Sequence, residues 1–126
     1  MLRKLRKDTG VVIESCGLQT DQGTHSPREA VDAARLFGVG LEAHVSKCCR
    51  DCDLENADLI LPMELWQYRE LIARYPDKKK NTRLLREFAP FPLNLLSGID
   101  DPYGGSPAEF RKCFRLIKKS VSNIRL

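Results

Sequence analysis

The sequence predicts an α/β fold in which a parallel sheet is flanked by helices in three layers, and its pattern of elements is the reason. Short apolar runs of strand length alternate with segments of helical periodicity, in the order helix, strand, helix, strand, helix, strand, helix. At 126 residues and 42% hydrophobic, the chain is long enough for one domain, residues 1–126, with its own core. Ligands of such sheets bind at the carboxyl ends of the strands.

Four helices are predicted from apolar periodicity and capping residues. "MLRKLRK" looks like the last two turns of a helix that Gly10 can end. In "SPREAVDAARLFG", Ser26 is the expected N-cap, Pro27 the first helical residue and Gly38 the stop. "ELWQYRELIARY" forms the third helix, and "SPAEFRKCFRLIKKSVSNI", with Ser106 as N-cap, forms the last.

Three apolar or β-branched stretches are the strand candidates: "VVIES", "ADLILPM" and "TRLLREF". Between the first two, "VSKCCRDCDLENA" is polar, and we expect a short helix there near Asp53. After the third comes "APFPLNLLSGIDDPYGG", a long loop. Loops of more than about 12 residues are often functional.

Charge and hydropathy exclude several classes of partner. The net charge of +4 comes with no basic stripe and no interleaved aromatic series, so we expect no nucleic-acid partner. No apolar run approaches the ~20 residues of a membrane span, and the basic N-terminus lacks the apolar stretch of a signal peptide. We therefore expect a cytoplasmic protein that does not bind membranes.

The five cysteines are interpreted as ordinary surface or half-buried thiols. Cys49 and Cys52 have Cys-x-x-Cys spacing with Cys48 adjacent, but zinc needs four convergent ligands and no second pair exists. Cys16 and Cys113 are isolated in the sequence. A redox Cys-x-x-Cys normally opens a helix after a strand, whereas this one precedes a strand. We expect no metal and no cofactor.

The stretch "DDPYGG" is the strongest candidate for chemistry. A residue before proline favours extended backbone, and Pro102 then fixes the turn, so the Asp101 carboxylate is held in one direction. Beside an aromatic ring and near a helix N-terminus, it can protonate a leaving group. A turn with a solvated aspartate remains the alternative on spacing alone.

Phosphate-binding motifs are absent from these 126 residues. There is no Walker pattern and no Gly-x-Gly-x-x-Gly. A cysteine phosphatase loop needs an arginine six positions after the nucleophilic cysteine, because the thiolate attacks phosphorus while the arginine holds the oxygens. The residues six positions after the five cysteines are Gln22, Leu54, Glu55, Asp58 and Lys119.

Five stretches, in order, nevertheless resemble one family. "ESCGL" is similar to a strand ending in a Ser-Ala-Gly turn, and "GVGLEAHVSK" to a Gly…Ser-x-His-x-Ala-Arg segment. "ENADLILPMELWQYREL" is similar to a strand entering a Met-Asp helix start, with Glu64 for Asp. "RLLREF" matches a fourth-strand region, and "DDPYGGSPAEFRKCFRLI" an Asp-Pro-Tyr acid loop with its final helix. Over most of residues 1–124 the chain resembles the low-molecular-weight protein tyrosine phosphatases.

This resemblance implies a phosphotyrosine phosphatase I-like fold and hydrolysis of phosphoprotein substrates through a cysteinyl-phosphate. Asp101 would be the general acid, and Tyr103 would form one wall of the substrate cleft. His44 would support the phosphate loop structurally from outside, and Ser15 would hydrogen-bond near that loop. "MLRKLRK" resembles the middle of the helix after the loop, so the first strand and the phosphate loop are expected to be missing. An N-terminally incomplete domain without its nucleophile would be inactive as it stands.

Several alternatives stay open. Gly104 stands where many members have a second aromatic residue, and this variant is similar to bacterial members, some of which act on phosphoarginine. A non-catalytic α/β binding or regulatory module is a second alternative, and a relative of arsenate reductase a third.

Without the first strand, two strand edges would be unpaired. We then expect direct pairing of "VVIES" with "ADLILPM", poor solubility, or filling by another chain, for example a homodimer by strand exchange.

Overall fold

The computed structural model describes residues 1–6, 10–20 and 23–125. The α-helices in these ranges are α1 Leu2–Leu5, α2 Arg28–Leu36, α3 Leu65–Arg74 and α4 Pro107–Ser122. Short 3-10 helices cover Cys49–Asp51, Pro76–Asn81, Leu85–Phe88 and Leu93–Leu95. All four predicted helices are confirmed. The predicted approach of the first helix to Gly10 lies partly outside the described residues.

Helix α2 begins one residue later than predicted and ends as predicted. Pro27, expected as the first helical residue, is the N-cap, and no side chain caps this end. At the other end, the Gly38 N–H donates to the Arg35 carbonyl at 2.9 Å, and the Val39 N–H to the Ala34 carbonyl at 3.0 Å. Gly38 has a φ of +67°, so these paired bonds form the glycine stop that the sequence indicated.

Strand pairing is sparse in the part of the chain that the structure describes. Parallel bridges join Gly17 to Cys48 and Ile60 to Thr82, and an antiparallel bridge joins His25 to Val45. The second parallel bridge brings together two of the predicted strands, "ADLILPM" and "TRLLREF". The predicted strand "VVIES" has no bridge, and pairing begins just after it, at Gly17.

The prediction of a strand over "TRLLREF" is correct only for its start, where the Arg83 N–H donates to the Ile60 carbonyl at 3.0 Å and the Leu85 N–H donates to the Pro62 carbonyl at 2.9 Å. Leu85–Phe88 is a 3-10 helix, because the Glu87 carboxylate turns back to accept the Leu84 N–H at 2.9 Å. The same carboxylate accepts from the Arg83 Nε at 3.0 Å. These local bonds offer the backbone an alternative to a strand ladder.

The chain divides into two compact units. The first comprises Met1–Cys52 and Pro102–Phe114, and its core contains Ala30, Ala33 and Phe110 with Phe114 packed against them. The second comprises Asp53–Asp101 and Arg115–Leu126. Its buried apolar residues are Ile60, Leu71, Leu84, Leu85, Ala89, Ile99, Val121 and Ile124. The expectation of a single domain over 1–126 stays a prediction. No described helix is both long and apolar enough to cross a bilayer.

Candidate active site

The base of the predicted acid loop is fixed within the second unit. The Ile99 N–H donates to the Met63 carbonyl at 2.6 Å, and the Ile99 side chain is only 2% exposed. Gly98 has a φ of +84°, and a Cβ placed on it would lie 3.1 Å from the Met63 oxygen. Both the backbone conformation and this close approach favour glycine here.

Arg86 ties the preceding loop to this base. Its Nε donates to the Leu93 carbonyl and its Nη1 to the Gly98 carbonyl, each at 2.9 Å. One guanidinium therefore joins both ends of the stretch 93–98. Asp101 follows closely in sequence and is exposed. Sequence reasoning missed Arg86, because it lay inside a predicted strand and nothing local marked its partners.

Beyond Asp101, in the first unit, the chain makes the tight turn that the sequence predicted. The Gly105 N–H donates to the Pro102 carbonyl at 2.8 Å, and Gly104 has a φ of +78°. Tyr103 has a negative φ, since no described residue other than glycine has a positive one. That combination defines a type II turn, which needs glycine at its third position. Tyr103 occupies the corner and is 79% exposed.

The turn leads directly into a capping box at the start of α4. The Ser106 N–H donates to Glu109 Oε2 at 2.6 Å, and the Glu109 N–H donates to Ser106 Oγ at 3.3 Å. Hydrogen bonds from the Ser106 backbone and side chain lower the pKa of Glu109. A Cβ on Gly105 would lie 2.5 Å from Glu109 Oε2 and 2.9 Å from the Pro102 oxygen. The predicted Ser106 cap is therefore confirmed, and Gly105 makes room for it.

A shallow depression of about 290 Å³ opens beside this turn. Its lining residues, all in the first unit, are Pro27, Glu29, Tyr103, Gly104, Gly105 and Phe110. Tyr103 and Glu29 thus border the same space.

Ser15 and His44 lie in neighbouring segments of the first unit. The Gly17 N–H donates to the Lys47 carbonyl at 2.9 Å, and the Cys49 N–H donates to the Gly17 carbonyl at 3.0 Å. Ser15 just precedes Gly17, and His44 just precedes Lys47; both are exposed. Of the four predicted site residues, Ser15, His44 and Tyr103 belong to the first unit and Asp101 to the second.

Cys16 is isolated in the sequence but lies beside Cys52 in the fold. Its side chain is hydrogen-bonded to that of Cys52. Burial of the thiol, together with this hydrogen bond, raises the pKa of Cys16 to about 12, although the residue as a whole is exposed. Among the described residues, no group of three or more His, Cys, Asp or Glu side chains is arranged to hold a metal ion.

Comparison with known proteins identifies the family of this chain. Residues 1–125 match the family described as low molecular weight phosphotyrosine protein phosphatase. The chain belongs to that family. A relative from Ralstonia solanacearum, named "Probable low molecular weight protein-tyrosine-phosphatase EpsP", is 30% identical over 112 residues, which are 89% of this chain and 73% of that protein. The resemblance read from the five sequence stretches is thereby confirmed.

Solved structures of the family have the same fold. The YwlE arginine phosphatase from Geobacillus stearothermophilus superimposes with a TM-score of 0.82 at 21% identity, over 97% of this chain and 77% of that one. The low molecular weight protein tyrosine phosphatase from T. tengcongensis gives 0.82 at 25% identity, over 97% and 82%. Vibrio vulnificus Wzb in complex with benzylphosphonate gives 0.81 at 24%, over 96% and 81%. The predicted α/β fold class is confirmed.

Proposed function

We propose that these 126 residues supply the general-acid loop and one substrate-binding wall of a phosphatase that hydrolyses phosphomonoesters on proteins. The observation that supports the proposal is the bracing of the loop around exposed side chains. Arg86 and Gly98 fix the backbone before Asp101, and the turn at Gly105 and the capping box fix it after Tyr103. A merely solvated aspartate would not need a backbone held on both sides.

In this proposal Asp101 acts on the leaving group. A thiolate attacks phosphorus, the bond to the substrate oxygen breaks, and the Asp101 carboxyl gives its proton to that oxygen. The resulting carboxylate then takes a proton from water as the water attacks the cysteinyl-phosphate. Tyr103, exposed at the corner of its turn, contacts the side chain that carries the phosphate. His44 and Ser15 position the phosphate loop without touching the reacting atoms.

The nucleophile is not among these residues, and we infer that the 126-residue polypeptide alone does not turn over substrate. No cysteine here is followed by arginine six positions later. General acid catalysis by itself contributes about 10²–10⁴-fold. Phosphate monoester hydrolysis needs an acceleration approaching ~10²¹-fold, so an acid alone is far from sufficient.

Phosphoarginine is the second candidate substrate class. Gly104 gives the turn no second aromatic residue, and Glu29 is one of the residues that line the depression beside Tyr103. An acidic residue beside the substrate suits a substrate that carries a guanidinium better than one that carries a phenyl ring. One solved structure similar in fold is named an arginine phosphatase.

We further propose a cytoplasmic location and self-association through the "VVIES" edge. The test of the self-association is given in the Discussion.

The test compares this chain with the same chain preceded by a family segment containing Cys-x5-Arg, using a small aryl phosphate. We expect no turnover by the 126-residue chain and clear turnover by the extended one. In the extended chain Asp101→Asn should lower kcat by about 10²–10⁴-fold. Asp100→Asn is the matched control, because Asp100 is an equally exposed neighbour, and it should have little effect.

Three outcomes would count against the proposal. Equal losses in the Asp100 and Asp101 variants would remove the general-acid role. Turnover by the 126-residue chain that Asp101→Asn abolishes would contradict its inactivity. A folded but inactive extended chain would favour the non-catalytic binding or regulatory module.

A further inference from the structure

Two cysteines distant in sequence are brought side by side in the first unit. The bridge at Gly17 holds the Cys16 segment against residues 47–49, through the hydrogen bonds of 2.9 and 3.0 Å already described. The 3-10 helix Cys49–Asp51 then turns the chain back, and the Cys52 N–H donates to the Cys49 carbonyl at 3.1 Å. The Cys16 and Cys52 side chains meet in a hydrogen bond as a result.

A lysine completes the surroundings of this thiol pair. The Lys47 Nζ lies 2.7 Å from Glu14 Oε1 and also hydrogen-bonds the Cys52 side chain. The thiolate form of a cysteine is the nucleophile in disulfide exchange. Cys16 is exposed and Cys52 half-buried, so small reagents can reach the pair.

The other thiols are less suited to a cross-link. Cys49 is only 1% exposed, so a reagent in solvent does not reach it. Cys48 is held by Arg50, whose backbone and side-chain hydrogen bonds lower the pKa of the Cys48 thiol. Its thiol is hydrogen-bonded to Arg50 and to its chain neighbour Cys49, and a disulfide between adjacent residues departs from the usual geometry and is strained.

We propose that Cys16 and Cys52 are a reversible disulfide site, oxidised by exchange with a small disulfide of the glutathione class. The Cys52 thiolate attacks one sulfur of the small disulfide, which releases one thiolate and leaves a mixed disulfide on Cys52. The Cys16 thiol then loses its proton and attacks the Cys52 sulfur, so the protein disulfide forms and the second small thiol leaves. Two electrons pass from the protein to the reagent, and the two thiol protons end on the two released molecules.

The order of the two steps follows from the surroundings. The pKa of Cys16 is raised, which makes Cys16 the slower thiol to attack, so Cys52 attacks first. Once Cys52 is part of a mixed disulfide, its thiol no longer hydrogen-bonds Cys16 or repels its charge, and Cys16 becomes the resolving thiol. This site does not depend on the proposed phosphatase function.

Tryptic mapping separates the candidate thiols cleanly. Cleavage after Lys and Arg places Cys16 in peptide 8–28, Cys48 and Cys49 in 48–50, Cys52 in 51–69 and Cys113 in 113–115. The native 126-residue chain would be treated with glutathione disulfide, blocked with iodoacetamide and digested without reductant. We expect peptide 8–28 joined to 51–69 as the main internal link, and its loss on treatment with dithiothreitol.

Denaturant and variants make the test specific to the fold. In concentrated urea loop closure favours the nearby thiols, so we expect the 8–28 to 51–69 link to fall roughly tenfold relative to 48–50 with 51–69. Cys16→Ser should abolish the native link, whereas Cys113→Ser, the matched buried control, should leave it unchanged. The proposal would be overturned if the native chain linked peptide 48–50 to 51–69 instead. It would also be overturned if the chain formed only glutathione adducts while its circular dichroism spectrum remained that of the folded protein.

Discussion

The Arg86 guanidinium donates a hydrogen bond to the Gly98 carbonyl oxygen, with 2.9 Å between Nη1 and O. Its Nε holds the Leu93 carbonyl at the same distance. Through these two bonds, a residue with no chemical role of its own fixes the backbone that leads to Asp101.

Removing this guanidinium should destabilise the chain measurably. Arg86→Met keeps most of the aliphatic stem but leaves two carbonyls without their charged donor, at about 1.5–3 kcal/mol for each such bond. We expect a loss of about 3–6 kcal/mol in the free energy of unfolding, measured by urea denaturation. Arg83→Met is the control, since the Arg83 side chain is exposed and pairs with Glu87 and the Phe88 ring, both close to it in sequence. It should cost less than about 1 kcal/mol. Equal losses of unfolding free energy in the two variants would contradict the structural role of the Arg86 hydrogen bonds.

Gly98 should tolerate a methyl group less well than Gly104. Both have positive φ, so Ala adds a backbone cost of about 1–2 kcal/mol at either position. At Gly98 the new Cβ also meets the Met63 oxygen at 3.1 Å, whereas at Gly104 nothing lies within 4 Å. We therefore expect Gly98→Ala to lower the melting temperature clearly more than Gly104→Ala. The reverse order would mean that the base of the loop is not as tight as described.

The capping box at α4 makes stability depend on pH. The pKa of Glu109 is lowered in the folded chain from its usual 4.5, so the ionised form is favoured by folding. This contribution is fully present above pH 4.5 and is lost as pH falls through the lower folded value. We expect the wild type to lose more melting temperature than Glu109→Gln between about pH 6 and pH 3. If the melting temperatures of the two proteins fell in parallel with pH, the stabilising role of the ionised Glu109 would be contradicted.

Local signals predicted the fold better than the site. The Ser106 and Glu109 spacing predicted its helix start because capping involves residues close in sequence. The Glu87 carboxylate turned a predicted strand into a 3-10 helix by an equally local competition, which periodicity does not reveal. The partners of Arg86 and the meeting of Cys16 with Cys52 depend on chain segments that only the tertiary structure brings together. The turn from Pro102 to Gly105 was predictable from its residues, but the Arg86 hydrogen bonds before Asp101 were not.

The clustered cysteines should bind no stoichiometric zinc. Among the described residues, no three of these side chains are arranged to hold a metal ion, and Cys49 is buried. We expect elemental analysis of the purified chain to find far less than one zinc per chain. About one zinc per chain, lost on Cys49→Ser, would overturn this prediction.

The edge formed by residues 11–15 should promote self-association. In the described structure no bridge includes these residues, and the Val12 side chain is 87% exposed. Unpaired backbone edges with apolar side chains are templates for pairing with another chain, and lysine on such an edge opposes it. We expect light scattering to show the mass rising above 14.3 kDa with concentration. Val12→Lys should reduce this rise, whereas Leu36→Lys, at another exposed apolar side chain at the end of α2, should not. A monodisperse monomer at every concentration, with ordinary cooperative unfolding, would exclude strand exchange and leave closure of the edge within one chain as the remaining outcome.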